Sequence, residues 1–358
     1  MRVPGVLAVA LALAISGPLR APAAVFGDDE RRPLSPEDAT LNDQIGSLFV
    51  GDTGPICTAF CVAPDMIATA SHCLFGTSRN AVNRLQSIRF KRGSQALGAA
   101  TPIAGTTTRN QSQHVIAGTH RMRVVPPIGA DQDWAIARLD RASCDAGGLS
   151  IAVAAEPLPD TIFNIAIHRD EPDMALRTSG SCVRQERFDN VRPGELERDF
   201  ANLPGLILHN CDTGPGSSGS PLFIKTARGA EVIGINAGTY VVSRGVIVAG
   251  SRDDGAPSEA VANTAVNTSV FTSAISELAH RDLIETEVDV RELQSLLQSL
   301  NVYAGPVNGY VTTGLVAAIQ RYERQANRPE TGLASRALLQ SLRDASRVGP
   351  IEPIKFDR

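Results

Sequence analysis

Three short segments of this chain carry side chains able to act together on a carbonyl group. They are Thr69 Ala70 Ser71 His72 Cys73, then Asp133 Trp134 Ala135 Ile136 Ala137, then Gly216 Ser217 Ser218 Gly219 Ser220 Pro221. A serine hydroxyl is a poor nucleophile at neutral pH, so it needs an imidazole to take its proton and a carboxylate to fix the imidazole tautomer. His72, Asp133 and Ser218 are the residue types for base, orienter and nucleophile. Glycines beside the serine let backbone N–H groups approach a carbonyl that is gaining charge, and each such donor stabilises the oxyanion by roughly 3 kcal/mol. Gly216 and Ser218 are the expected donors. Any one of these segments arises readily by chance; three in one chain do not.

The elements that must position them read as β-structure. Ala59 to Ala63, Met66 to Ala70, Gly205 to His209 and Glu231 to Ile235 are short, rich in apolar and β-branched residues, and bounded by Gly, Pro, Asn or Asp. The stretch from Asn80 to Gln132 is longer than a compact all-β unit requires and is expected to hold a surface loop. Ser251 to Pro257, with Asp253 Asp254 Gly255, reads as an exposed, solvated insertion with too few ordered ligands for calcium.

Composition excludes several classes. With 20% charged residues, a net charge of -4 and no basic block, the chain lacks what a nucleic-acid partner demands. Met1 Arg2, the apolar run Val6 to Ile15 and the small residues Ala21 Pro22 Ala23 Ala24 read as a signal peptide. The run is shorter than the ~20 residues that span a bilayer, so no stable membrane insertion is expected, a retained anchor being the alternative. Export places the six cysteines where disulfides persist. No Cys-x-x-Cys or finger-like Cys/His spacing is present, so no zinc site is expected, and serine chemistry of this kind requires no cofactor.

The segments around His72, Asp133 and Ser218, in this order, resemble those of the trypsin-like serine peptidases of chymotrypsin fold. The flanking residues look most like the bacterial branch that includes the V8-type glutamyl endopeptidases. Cys57 Thr58 Ala59 Phe60 Cys61 Val62 Ala63 Pro64, Cys211 Asp212 Thr213 Gly214 Pro215 Gly216 Ser217 Ser218 Gly219 Ser220 Pro221 and Val232 Ile233 Gly234 Ile235 Asn236 Ala237 Gly238 carry the resemblance, which runs from about Val25 to about Ile275. It implies a mainly β molecule of two Greek-key six-stranded β-barrels, with His72 and Asp133 from the first and Ser218 from the second. It also implies disulfides Cys57 with Cys73 and Cys182 with Cys211, which leaves Cys61 with Cys144. Ser217 stands where animal relatives carry the carboxylate that pairs with a freed N-terminus, so that switch is unavailable. Val25 Phe26 Gly27 Asp28 Asp29 Glu30 Arg31 resembles a mature N-terminus, and maturation at or next to Val25 is expected.

The same resemblance places Asp212, Thr213, Asn236, Ala237 and Gly238 around the substrate. Ala237 and Gly238 would pair with an extended peptide added as an edge strand. Glutamyl-specific relatives carry histidine at the position of Asn236. Asp212, six residues before Ser218, stands where an aspartate selects Arg or Lys, or else it bonds local backbone. His209 either contacts the pocket or is structural. The expected order of preference for the residue before the cleaved bond (P1) is basic, then acidic, then small apolar.

Beyond Ser276 the cysteines stop and helical periodicity begins. Val290, Leu293, Leu297 and Leu300 form one apolar stripe, Leu315, Ile319 and Tyr322 a second, and Leu338, Leu339 and Leu342 a third. Asn308 Gly309 and Thr331 Gly332 supply turns. This small C-terminal three-helix domain resembles the peptidoglycan-binding domain appended to cell-wall enzymes, departing from its pattern at Thr312, Leu315 and Glu323. The expected organisation is a signal peptide over 1–24, a peptidase over 25–276, a linker over 277–287, the helical domain over 288–345 and a tail over 346–358. A secreted or periplasmic serine endopeptidase follows, with a protein or peptide substrate and peptidoglycan as a further partner. The competing class is a catalytically inactive wall- or protein-binding module on the same scaffold.

Overall fold

The computed structural model describes residues 24–51, 54–76, 81–93, 100–152, 159–248 and 259–348. The expected signal peptide, apart from Ala24, and the Ser251 to Pro257 insertion lie outside them. In chain order the strands are β1 (Arg32–Pro33), β2 (Ile45–Val50), β3 (Pro55–Ala63), β4 (Met66–Thr69), β5 (Ile88–Arg92), β6 (Thr101–Pro102), β7 (Val115–Ala117), β8 (Ala135–Arg138), β9 (Thr161–Ile167), β10 (Leu176–Thr178), β11 (Cys182–Val183), β12 (Leu206–His209), β13 (Pro221–Thr226), β14 (Gly229–Val241), β15 (Gly245–Ile247) and β16 (Ala260–Asn267). The α-helices are α1 (Ser71–Phe75), α2 (Glu195–Asp199), α3 (Thr268–Ala279), α4 (Glu287–Ser299), α5 (Thr313–Gln325) and α6 (Arg336–Val348).

One sheet runs β6-β5-β2-β3-β4-β8-β7, and the other runs β1-β10-β9-β13-β14-β16-β12 with β11 beside β9 and β15 beside β14. Both feed one core, in which Leu48, Phe60, Ile67 and Ile136 of the first sheet meet Ile165, Phe223, Ile235 and Tyr240 of the second. The expectation of a mainly β molecule with two closed six-stranded barrels is corrected here. The fold is mixed α/β, with one sheet curled into a half-barrel and the other open. Closure requires edge strands long enough to pair with each other. The edges of the first sheet, β6 and β7, have two and three residues, and β1 of the second has two, one of them Pro33 with no N–H to donate. Among the described residues neither sheet pairs its two edges.

The stretch from Asn80 to Gln132 also differs from a plain surface loop. It supplies β5, β6 and β7, and its segment 103–114 is covered, with Thr108, Asn110 and His114 fully buried. The C-terminal region covers it. Its apolar stripes fall on α4, α5 and α6 and close a separate core that includes Val290, Leu293, Leu297, Leu315, Ile319, Leu338 and Leu342. That core docks through polar contacts. The buried Gln113 side chain donates to Gly332 O at 2.8 Å and accepts Ala334 N–H at 3.0 Å. Asn110 Nδ2 donates to Ile284 O at 3.2 Å, Val311 N–H donates to Thr108 O at 2.8 Å, and the Arg109 guanidinium lies 4.1 Å from the Tyr310 ring centroid. Helix α3 continues to Ala279, inside the expected linker, and Arg281 beyond it donates to Gln113 O at 2.9 Å.

The departures from the peptidoglycan-binding pattern are absorbed locally. Thr312 caps α5 by accepting Leu315 N–H at 3.2 Å, and Leu315 fills the core. Glu323 accepts Gly332 N–H at 2.8 Å and the Thr331 hydroxyl at 2.6 Å, fixing that turn.

Candidate active site

Antiparallel pairing brings the base and the orienter together. Thr69 at the end of β4 faces Ala135 at the start of β8, so the residues just after the one and just before the other meet at the same end of the sheet. His72 sits in α1, directly after β4, and the Cys57–Cys73 disulfide ties that helix to β3. Asp133 follows a single 3-10 turn that ends at Gln132. Its Oδ1 accepts the His72 backbone N–H at 2.9 Å and its Oδ2 lies 2.7 Å from His72 Nδ1. The carboxylate is fully buried and the imidazole nearly so. Nδ1 therefore carries the proton and Nε2 presents a lone pair, the tautomer a general base needs.

Ser218 lies on the loop between β12 and β13. Gly219 of this loop has φ +83°, and a Cβ there would fall 2.1 Å from Thr69 Oγ1 and 2.3 Å from Thr58 O. Only glycine lets the nucleophile loop approach β3 and β4 this closely. Gly219 N–H donates to Asn236 O at 2.7 Å, and Thr58 N–H donates to Ser218 O at 2.9 Å. Among the described residues, the N–H groups of Gly216 and Ser218 have no acceptor. The Ser218 hydroxyl donates to Ala237 O at 3.3 Å rather than to His72. Cys73 Sγ lies 3.8 Å from His72 Nε2 and 3.7 Å from Ser218 O, so base and nucleophile loop share one buried neighbour.

A cavity of about 50 Å³ opens beside the serine, lined by Ala24, residues 213–218, Asn236, Gly238, Thr239, Ile247 and Val248. Asp212 does not line it. Its two carboxylate oxygens accept Phe26 N–H and Glu30 N–H, each at 2.8 Å, while Thr213 N–H donates to Ala24 O at 3.0 Å. The segment 24–33 is thus a strap over the pocket loop. Arg31 secures it through Asp170, and β1 adds it to β10. Asn236 Nδ2 donates to Ser217 O at 3.2 Å. Behind it, burial pushes the His209 imidazole down to about 3, with Asn236 a smaller opposing influence. His209 is neutral at physiological pH, and its Nδ1 accepts Cys211 N–H at 3.3 Å.

Along β14 the pairing with β13 ends at Ile235 and the pairing with β15 begins at Thr239, while β16 stays paired on the other side. The gap at 236–238 lies beside Ser218 and is partly taken, since Asn236 N–H donates to Ser220 O at 2.8 Å and Asn236 O accepts Gly219 N–H. Ala237 faces it through the carbonyl that holds the serine hydroxyl; Gly238 is turned to the Thr264 hydroxyl. The remaining disulfides are Cys61–Cys144 and Cys182–Cys211. Among the described residues the only His/Cys/Asp/Glu cluster with metal-like spacing is Cys57, His72 and Cys73, whose sulfurs are bonded to each other. Thr58 is the residue that the sequence does not single out. Its contacts come from segments far apart in the chain.

A buried carboxylate–imidazole pair and a glycine-framed serine loop thus meet at the Cys73 sulfur, an arrangement consistent with part of a serine-hydrolase triad. Residues 57–235, half of the chain, match the model of the trypsin-like peptidase domain, and the chain belongs to that family. Residues 286–342 match the model of a peptidoglycan binding domain. The chain is similar to "Serine protease 23" of Homo sapiens, 25% identical over 226 residues that make up 59% of this chain and 53% of the relative. The Bos taurus protein of the same name is 26% identical over 225 residues, 59% of this chain and 54% of that one. The chain spans about half the length of the curated relatives it matches. Among solved structures, a Glu endopeptidase in complex with MPD is 16% identical with a TM-score of 0.46, covering 71% of this chain and 98% of that one. Among the described residues no helix is long and apolar enough to cross a membrane.

Proposed function

We propose that this protein is a secreted serine endopeptidase acting through Ser218, His72 and Asp133. The observation that carries the reading is the two-point hold of Asp133 on His72, which leaves Nε2 free to accept a proton. Rotation of the serine hydroxyl from Ala237 O toward Nε2 starts the reaction; catalytic hydrogen bonds are often loose before substrate binds. Ser218 Oγ then attacks the peptide carbonyl as its proton passes to His72. The carbonyl oxygen, now an anion, takes the free N–H groups of Gly216 and Ser218. His72 returns the proton to the leaving amine, and water hydrolyses the acyl-enzyme by the same route. The substrate strand adds to β14 at Ala237, whose carbonyl is released when the serine hydroxyl turns to Nε2.

The pocket supports a small uncharged residue at P1. Among the described residues its lining contains neither lysine, arginine nor a carboxylate, His209 behind it is neutral, and the Asp212 oxygens point to the strap. This reading puts first the class that the sequence placed third, after basic and acidic residues. The peptidase is assigned to 25–276 and the helical domain to 288–345, with the latter holding the enzyme at peptidoglycan in the periplasm or at the wall. The test is a fluorophosphonate probe followed by peptide mass spectrometry. We expect an adduct on Ser218 and none with Ser218→Ala; no adduct on folded protein moves the assignment to a non-catalytic wall-binding module.

A further inference from the structure

We propose that Thr58 is a positioning residue that holds the oxyanion loop of Ser218 open to substrate, an inference that rests on the serine-peptidase reading. Thr58 lies on β3 of the first sheet and is fully buried. Its hydroxyl donates to Gly216 O at 2.8 Å and accepts the Ile167 N–H, from β9 of the second sheet, at 3.0 Å. Its backbone N–H donates to Ser218 O at 2.9 Å, and its own carbonyl accepts the Thr69 hydroxyl at 2.8 Å. One side chain thus joins both sheets to the loop that carries the nucleophile.

The hydroxyl has no freedom of direction. The Ile167 amide can only donate, so it occupies a lone pair; the Gly216 carbonyl can only accept, so the single hydroxyl proton is committed to it. This fixes the peptide between Gly216 and Ser217 at its oxygen, while Ser217 N–H fixes the other end on Gly214 O at 3.0 Å. That peptide links the two units bearing the expected oxyanion donors, Gly216 N–H and Ser218 N–H. Gly216 has φ +104° and no Cβ to restrain it, so the local backbone alone does not hold this orientation. With the hydroxyl removed, Gly216 O and Ile167 N–H lose their partner in a buried site, and rotation of the peptide toward any other acceptor or donor moves both oxyanion donors.

The test measures phosphonylation of Ser218 by a fluorophosphonate, whose phosphoryl oxygen occupies the same hole, for wild type, Thr58→Val, Thr58→Ala and Thr58→Ser. Saturation kinetics separate the limiting rate from the half-saturating concentration, and the same variants are assayed for casein hydrolysis. We expect Thr58→Val and Thr58→Ala to lower the limiting rate by about 10- to 100-fold, less than the roughly 10²- to 10³-fold loss on removing an oxyanion donor outright. Half-saturation should stay within about 3-fold, and Thr58→Ser should restore the rate to within about 3-fold of wild type. Running alanine beside valine keeps the test standing where the valine methyl prevents folding. Wild-type rates in a folded valine or alanine variant overturn the proposal. So does a serine variant as slow as valine, which would mean that shape rather than the hydroxyl matters. An unlabelled wild type removes the serine-peptidase reading itself, an outcome distinct from loss of the role of Thr58.

Discussion

The two sides of the candidate catalytic cleft are built differently. On the base side, His72 and Asp133 are placed by one strand register, and every contact between them comes from residues adjoining β4 and β8. On the nucleophile side, the loop over 212–219 is held by Thr58 from the other sheet, by the strap over 24–33 and by Asn236 of β14. Base geometry is therefore a local property of a paired sheet. Nucleophile and pocket geometry is a property of the assembled molecule.

The largest expected effect breaks the base side. Asp133→Asn keeps the size of the side chain, but its amide cannot accept from both the His72 backbone and Nδ1–H, so the imidazole adopts the wrong tautomer. Turnover of a peptide substrate should fall by about 10⁴ with little change in the thermal midpoint. A loss under tenfold would mean that Asp133 is structural. On the other side, Asp212→Asn replaces one acceptor of the strap by a donor facing an N–H. This should cost about 2 kcal/mol in denaturant unfolding and leave the P1 preference in a peptide library unchanged. A selective loss of cleavage after Arg and Lys would return Asp212 to the pocket.

The smallest effect sharpens the comparison, because the base side has one remote tie of its own. Gln113 precedes β7, which pairs with β8 beside Asp133, and it holds Gly332 and Ala334 of the C-terminal region. Gln113→Ala should cost about 1 to 2 kcal/mol and raise amide exchange at 330–336 while leaving phosphonylation of Ser218 near wild type. A large fall in phosphonylation would show that the helical domain helps to hold the catalytic pair.

The residue types and their order along the chain are enough to single out His72, Asp133 and Ser218. The four expected strand segments fall largely within β3, β4, β12 and β14, and the three apolar stripes fall on α4, α5 and α6. These are short-range signals, because β pairing and helix packing impose periods of two and 3.6 residues on the chain itself. Closure of the sheets was not legible. It depends on whether distant edges pair, and a two-residue strand such as β6 leaves little pattern to read. Asp212 misled for a related reason, since the backbone N–H groups of residues 26 and 30 carry no side-chain signature.

By itself, the sequence determined the chemistry on offer: the residue types for a nucleophile, a base and an orienter, six cysteines for three bridges and a helical region distinct from the rest. Only the tertiary structure decided that Asp212 serves the strap, that the segment 103–114 is a docking platform, that the sheets stay open and that Thr58 reaches Gly216 and Ile167 together. Periodicity and residue type are written locally. A hydrogen bond between residues more than 100 positions apart exists only once the folded core has brought its partners within 3 Å.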